Sequence, residues 1–168
     1  MGGAKPASVL GGRPLVAYPV DALGAVCDRV AVVAKVTTPL PALDGVERWD
    51  EPDPLAHPLV GLLHALAAAG EEVLVCGADM PFVTPEALRS LVAAARPPAT
   101  VAYAGGRLQP LLGVYWPEAA ESLRAGLPGA PLTRAVESLS PTLVELPADV
   151  VRSIDTPEAL AAAERERR

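Results

Sequence analysis

Apolar residues come in short blocks along this chain, and the rhythm inside each block predicts its structure. Between Pro14 and Val26, the positions Leu15, Val16, Tyr18, Val20, Leu23 and Val26 recur at intervals compatible with one helix face. "RVAVVAK" (Arg29–Lys35) is instead a nearly continuous apolar run, which reads as a buried parallel strand. The stretch 37–54 is rich in proline and acid and predicts a loop, with a short strand around Val46–Trp49. "PLVGLLHALAAAG" (Pro58–Gly70) predicts a helix, with proline in its first turn and glycine as its stop.

The next unit is the most sharply drawn. "EEVLVCGADMPFVTPEALRSLVAAA" holds a buried strand at Val73–Cys76, a turn, and a helix from Pro85. Thr84 and Thr156 each precede the string "PEAL", so both predict helix N-caps with proline at the first helical position and glutamate in the first turn. The surroundings of the two copies differ, which makes this a shared capping recipe and not a repeated domain. "TVAYAGG" (Thr100–Gly106) and "QPLLGVYW" (Gln109–Trp116) predict two strands joined by a Gly-Gly turn, followed by a helix at "EAAESLRAGL". A helix over Pro131–Leu139, a strand at Thr142–Leu146 and a last helix from Pro157 complete the reading. Strands alternating with helices imply an α/β sandwich around a mostly parallel sheet, with the Gly-Gly hairpin as one antiparallel excursion.

Bulk properties narrow the setting. A chain of 168 residues predicts one domain. Its hydrophobic fraction is 51% but only 4% is aromatic, so Ala, Val, Leu and Pro must fill the core. A formal net charge of -6 argues against a nucleic-acid or membrane surface. Cys27 and Cys76 are far apart and belong to no Cys-x-x-Cys pair, which points to buried, reduced thiols rather than a zinc or redox motif. The start shows no signal-peptide pattern and no apolar run approaches a membrane span, so a cytoplasmic location is expected.

Candidate chemistry lies where apolar strands end, because ligands of open α/β sheets bind beyond the carboxyl ends of the strands. Asp79 follows "VLVCGA" in that way, and a carboxylate there suits Mg²⁺, which takes a few carboxylates together with phosphate oxygens and water. A turn or capping aspartate would look the same. Asp50 ends "GVERWD" similarly, within a loop that is acidic anyway; Asp155 precedes Thr156, where an acid simply favours a helix start. Lys5 follows Gly2 and Gly3, but "GGAK" is not a P-loop. His57 and His64 lack matching ligands for a metal pair, and Trp49, Trp116 and the tyrosines read as packing residues.

"MGGAK", "WDEPDPLAHPLVGLLHAL", "VLVCGADMPF", "QPLLGVY" and "SIDTPEAL" occur in the order found in the molybdenum cofactor guanylyltransferases. From Met1 to about Leu160 the chain resembles these MobA-like nucleotidyltransferases. The resemblance implies a three-layer, Rossmann-like sandwich of the nucleotide-diphospho-sugar transferase type. It also implies Mg²⁺-dependent transfer of GMP from GTP to the phosphate of molybdopterin, with pyrophosphate released. On that basis Lys5 would contact the triphosphate, and Gly2 and Gly3 would let backbone approach it. Asp79 would hold Mg²⁺ and act in catalysis, Asp50 would lie near nucleotide or metal, and Ser153 and Asp155 would face the pterin or metal side. CTP or a sugar or polyol phosphate as substrate is the neighbouring alternative. A catalytically silent homologue that binds a partner, such as another cofactor-maturation protein, is the more distant one.

Three departures from the family pattern stand out. His57 takes the place of a glycine, which would crowd the guanine side, and Ser153 and Asp155 replace amide side chains. The family also carries a strand and a Leu-Ala-Gly-Gly-x-x-x-Arg segment before the Met-Gly-x-x-Lys with which this sequence opens. "MGGAKP" thus reads as a middle, so truncation at the N-terminus, a gap or rearranged centre in the sheet, and weak or absent activity of the chain as written are expected.

Overall fold

The computed structural model describes residues 8–52 and 57–167. Gly2, Gly3 and Lys5 lie outside them. The first described element is a hairpin, β1 (Val9–Leu10) and β2 (Arg13–Pro14), turned by Gly11 and Gly12 at φ of 56° and 81°. Both angles belong to the left-handed region that a tight two-residue hairpin turn requires. The order then runs α1 (Ala17–Gly24), β3 (Ala31–Lys35), β4 (Glu47–Glu51), α2 (Pro58–Ala69), β5 (Val73–Cys76) and α3 (Pro85–Ala93). It ends with β6 (Ala99–Ala104), β7 (Arg107–Tyr115), α4 (Ala119–Arg124), α5 (Leu132–Glu137), β8 (Thr142–Glu145) and α6 (Pro157–Glu166).

Both predicted threonine caps form. Thr84 Oγ1 accepts from the Ala87 amide at 3.3 Å and Thr156 Oγ1 from the Ala159 amide at 3.1 Å. Gly70 stops α2 in a left-handed conformation at φ 69°. The helix read from Pro14 starts later, at Ala17, because Arg13 and Pro14 are held in the hairpin.

A four-stranded sheet in the order β5-β7-β6-β8 forms the middle layer. β7 is antiparallel to both β5 and β6, whereas β6 and β8 run parallel, so β7 is the expected antiparallel excursion. Side chains alternate across this sheet as the pleat demands. Ala102, Leu112 and Val114 face α3, where Leu88 and Leu91 are fully buried; Val101 and Tyr115 face the opposite layer of α2, α4 and α5. Each fully buried leucine contributes about 2 kcal/mol of transfer free energy. Among the described residues no buried side-chain nitrogen or oxygen lacks a hydrogen-bond partner. Thr100 bonds the Arg96 backbone in both directions, and the Tyr115 hydroxyl donates to the Pro110 carbonyl at 2.6 Å. Near Pro110 the β6–β7 register shifts, which accommodates a residue that has no N–H to give the ladder.

The parallel sheet is not continuous. β3 and β4 pair with one another in parallel but form a separate two-stranded sheet. Among the described residues β3 has no partner but β4 and β5 none but β7, so the expected gap falls between β3 and β5. A cavity of about 1140 Å³ occupies it, with Val32 and Val33 on one side, Val73 and Val75 on the other, and Leu23 of α1 and Leu62 of α2 across its faces. α2 bridges the break, packing on β3, β4 and β5. No described helix is long and apolar enough to cross a membrane.

Candidate active site

The carboxyl ends of β4 and β5 border this slot, at Glu51 and at Cys76, Gly77 and Ala78, whereas β3 borders it with Ala31, Val32 and Val33; the orientation of the polar residues at the strand ends follows from strand alternation. Along β4, Glu47, Trp49 and Glu51 point one way and Arg48 and Asp50 the other. Asp50 is therefore turned to Arg48, whose Nε donates to Asp50 Oδ1 at 2.6 Å. The same guanidinium donates to the carbonyls of Lys35 at 2.6 Å, Val36 at 3.0 Å and Thr38 at 3.2 Å. Arg48 thus fixes the chain leaving β3, and Asp50 balances its charge.

Glu51 lies on the other face of β4. Lys35 and Glu51 are register partners in the parallel pair, and Lys35 Nζ stands 3.7 Å from Glu51 Oε1, with 21% and 14% of the two side chains exposed. Glu51 also approaches α2 at Gly61, where a Cβ would sit 3.1 Å from Oε2. Reasoning from the sequence misses this pair, along with Arg48. The signal that would find it is register: once β3 and β4 are paired in parallel, their last residues must meet.

His57 does not form a metal pair with His64. It is the N-cap of α2, where Nδ1 accepts from the Leu59 amide at 3.1 Å, so the ring stands in for the hydroxyl or carboxylate usual at that position. Trp49 borders the slot and its indole N–H donates to Glu47 at 2.9 Å.

At the end of β5 the chain turns through Gly77 and Ala78 to Asp79. A Cβ at Gly77 would lie 3.0 Å from Asp79 Oδ1 and 3.1 Å from the Met80 side chain, so glycine is what lets the loop fold back there. The Asp79 carbonyl accepts the Ile154 amide at 2.7 Å. That bond draws Ser153 and Asp155 to the end of β5, where Ser153 Oγ donates to Asp155 Oδ2 at 2.7 Å. Asp79, Ser153 and Asp155 are brought together; Asp50 belongs to the separate two-stranded sheet. Ile154 is itself buried with Leu10, Leu15 and Ala163, so the hairpin and α6 anchor the segment.

Both cysteines are free and border the slot half-buried, less enclosed than the sequence suggests. Burial, and then the Asp79 charge, push the Cys76 thiol up to about 12. Such a thiol is an inert wall, not a nucleophile.

The sequence profile of the MobA-like NTP transferase domain matches residues 1–146. The chain belongs to this family. A Cereibacter sphaeroides protein named molybdenum cofactor guanylyltransferase is 38% identical over 136 residues, covering 76% of this chain and 68% of that one. Molybdopterin-guanine dinucleotide biosynthesis protein A from Archaeoglobus fulgidus superposes with a TM-score of 0.74 at 22% identity, covering 96% of this chain and 89% of its own. 2-C-methyl-D-erythritol 4-phosphate cytidylyltransferase from Thermus thermophilus gives 0.74 at 24% identity, with 98% and 94% covered. At these identities the two structures establish a common α/β fold, the one expected for a MobA-like chain.

Proposed function

We propose that this MobA-like chain transfers GMP from GTP to the terminal phosphate of molybdopterin. An acceptor phosphate oxygen forms a bond to the α-phosphorus of GTP. The bond from that phosphorus to the bridging oxygen of the β-phosphate breaks, and the oxygen keeps the electron pair as pyrophosphate departs. The attacking phosphate is already anionic, so the protein's work is to hold the two phosphates in line and to offset their charge.

The observation that carries this reading is the Ile154–Asp79 bond, which sets a strand-end carboxylate beside the Ser153–Asp155 turn. Asp79 would hold Mg²⁺ and Ser153 and Asp155 would face the acceptor. The donor chemistry fits that ion, which takes one or two carboxylates and completes its shell with substrate phosphates and water. Among the described residues no group of three or more His, Cys, Asp or Glu side chains is placed to hold a metal. When bound, the metal would spread the charge of the triphosphate. Lys5, Gly2 and Gly3 would serve the triphosphate from outside the described residues. Asp50, balanced by Arg48, would act at the nucleotide side by keeping the end of β3 in place. In this reading residues 1–168 work as one nucleotidyltransferase domain in the cytoplasm, on small-molecule substrates, with a cofactor-maturation protein as the protein partner.

Incubation of the purified protein with Mg²⁺, molybdopterin and an equal mixture of GTP and CTP tests the reading. Guanine dinucleotide and pyrophosphate are expected in equal amounts. Equal or preferential use of CTP would replace the guanylyl assignment with a cytidylyl one, and a cooperatively folding protein that binds no nucleotide would be the silent homologue.

A further inference from the structure

We infer that Arg152 is a positioning residue, which ties the loop carrying Asp79 to the turn carrying Ser153 and Asp155. The inference deepens the guanylyl reading above and rests on it for the roles of those three residues. Asp79 and Phe82 share one loop, folded by two successive turns in which the Met80 amide donates to the Gly77 carbonyl at 3.1 Å and the Val83 amide to the Met80 carbonyl at 3.4 Å. The Phe82 ring packs against the cluster of Leu10, Leu15, Ile154 and Ala163. The Arg152 guanidinium lies over that ring, 4.2 Å from its centroid, where a cation meets the negative face of the aromatic.

The same guanidinium is gripped from the far end of α6. Its Nη1 and Nη2 donate to the two oxygens of Glu166, at 2.9 Å and 2.6 Å, a fork that fixes the plane of the group as well as its place. α6 starts at the Thr156 cap, one residue after Asp155, and Glu166 is its last residue. Arg152 therefore closes a ring, from the acceptor turn along the helix for roughly 15 Å and back to the residue just before Ser153. An exposed ion pair alone is worth little. Its leverage here comes from the stack on Phe82, which brings the metal loop into the ring. The Ile154–Asp79 hydrogen bond joins loop and turn at one point; the Arg152–Phe82 stack adds a second, and two points set an angle where one sets only a distance. In-line transfer is sensitive to that angle, since misplacement by about 1 Å costs on the order of a hundredfold in rate.

Amide hydrogen exchange followed by NMR on the full chain reads the tie without any ligand, and steady-state kinetics with GTP, Mg²⁺ and molybdopterin reads its consequence. In Arg152→Ala, exchange at Ile154 should quicken about tenfold while the amides of β6 and β7 keep their rates. The kcat should fall about tenfold with the KM for GTP unchanged. Glu166→Gln should do the same to a smaller extent, and the double variant should be no worse than Arg152→Ala, because both changes break one device. Salt at about 1 M, which screens the exposed pair, should quicken Ile154 exchange in the unsubstituted protein and not in Arg152→Ala. Unchanged exchange at Ile154 in Arg152→Ala overturns the inference, and so does quickened exchange with kcat unchanged. A parallel quickening in β6 and β7 also overturns it, for that is a general loss of stability. An unsubstituted protein that makes no guanine dinucleotide removes the guanylyl reading instead, and exchange at Ile154 then decides the tie by itself.

Discussion

The two sheets of this protein are built to different standards. In the four-stranded sheet, β6 is buried along nearly its whole length and the last four residues of β7 are buried as well. In the two-stranded sheet, β3 alternates between buried and half-buried positions and β4 has no buried residue at all. Asp79, Ser153 and Asp155 belong to the first region; Lys35, Asp50 and Glu51 belong to the second. The groups proposed for metal and acceptor thus rest on a close-packed base, and Asp50, proposed for the nucleotide side, rests on a pair of strands packed chiefly on α2. In the proposed reading, chemistry that demands fixed geometry sits on the more closely packed half.

The largest effect expected from breaking this division is on turnover. Asp79→Asn removes charge without volume and should lower the transfer rate by about a hundredfold or more, with the melting temperature unchanged. Asp50→Asn should cost only about tenfold, through the freed Arg48. Steady-state kinetics of both variants ranks the two halves, and near-normal turnover in Asp79→Asn would end the metal assignment.

Two glycines sharpen the contrast in packing. A Cβ at Gly113 would lie 2.5 Å from the Thr100 carbonyl oxygen and 3.0 Å from Val101 Cα, both backbone atoms. Gly113→Ala should therefore destabilise by about 3 kcal/mol or prevent folding. At Gly61 the nearest atom is the end of the Glu51 side chain, which can move, and alanine is the better helix former. Gly61→Ala should change stability by less than about 1 kcal/mol. Denaturant melts of the two variants make the comparison directly.

Smaller effects concern motion and reactivity. Amides of β6 and β7 should exchange with solvent only by global unfolding, whereas those of β3 and β4 should exchange through cheaper local opening; equal protection would show that α2 couples the two sheets into one unit. Cys76 should resist alkylation at pH 8. With its pKa at about 12, the thiolate is about one part in ten thousand at that pH, so labelling should accelerate roughly tenfold per pH unit while the fold persists. Mass spectrometry of a pH series follows it peptide by peptide.

What could be read from the sequence was local. The two Thr-Pro-Glu-Ala-Leu starts, the apolar strand Val73–Cys76 and the Gly-Gly turn at Gly105 and Gly106 are fixed by neighbouring residues, and each forms where expected. The motif order also sufficed for the family, which the profile over residues 1–146 bears out. The partnerships at the strand ends depend on pairing between distant segments. Asp50 and Glu51 look alike in a row of acids, yet one residue of register sends the first to Arg48 and the second to Lys35. The helix reading from Pro14 missed the hairpin because Leu10 and Leu15 pack against Ile154 and Ala163 of α6, and that docking outweighs local periodicity.

The amide of Ile154 bonded to the carbonyl of Asp79 carries a consequence for the life of the protein. A ribosome makes Asp79 long before Ile154, and while the later segment is still in the exit tunnel the earlier loop has no such anchor. The four-stranded sheet also waits, because β8 is separated from its partner β6 by β7 and two helices. Competence accordingly waits for β8 and the Ser153–Asp155 turn, and a chain released before them lacks the proposed acceptor wall. The arrangement acts as a completion check, in which only a molecule translated through that turn assembles the proposed site.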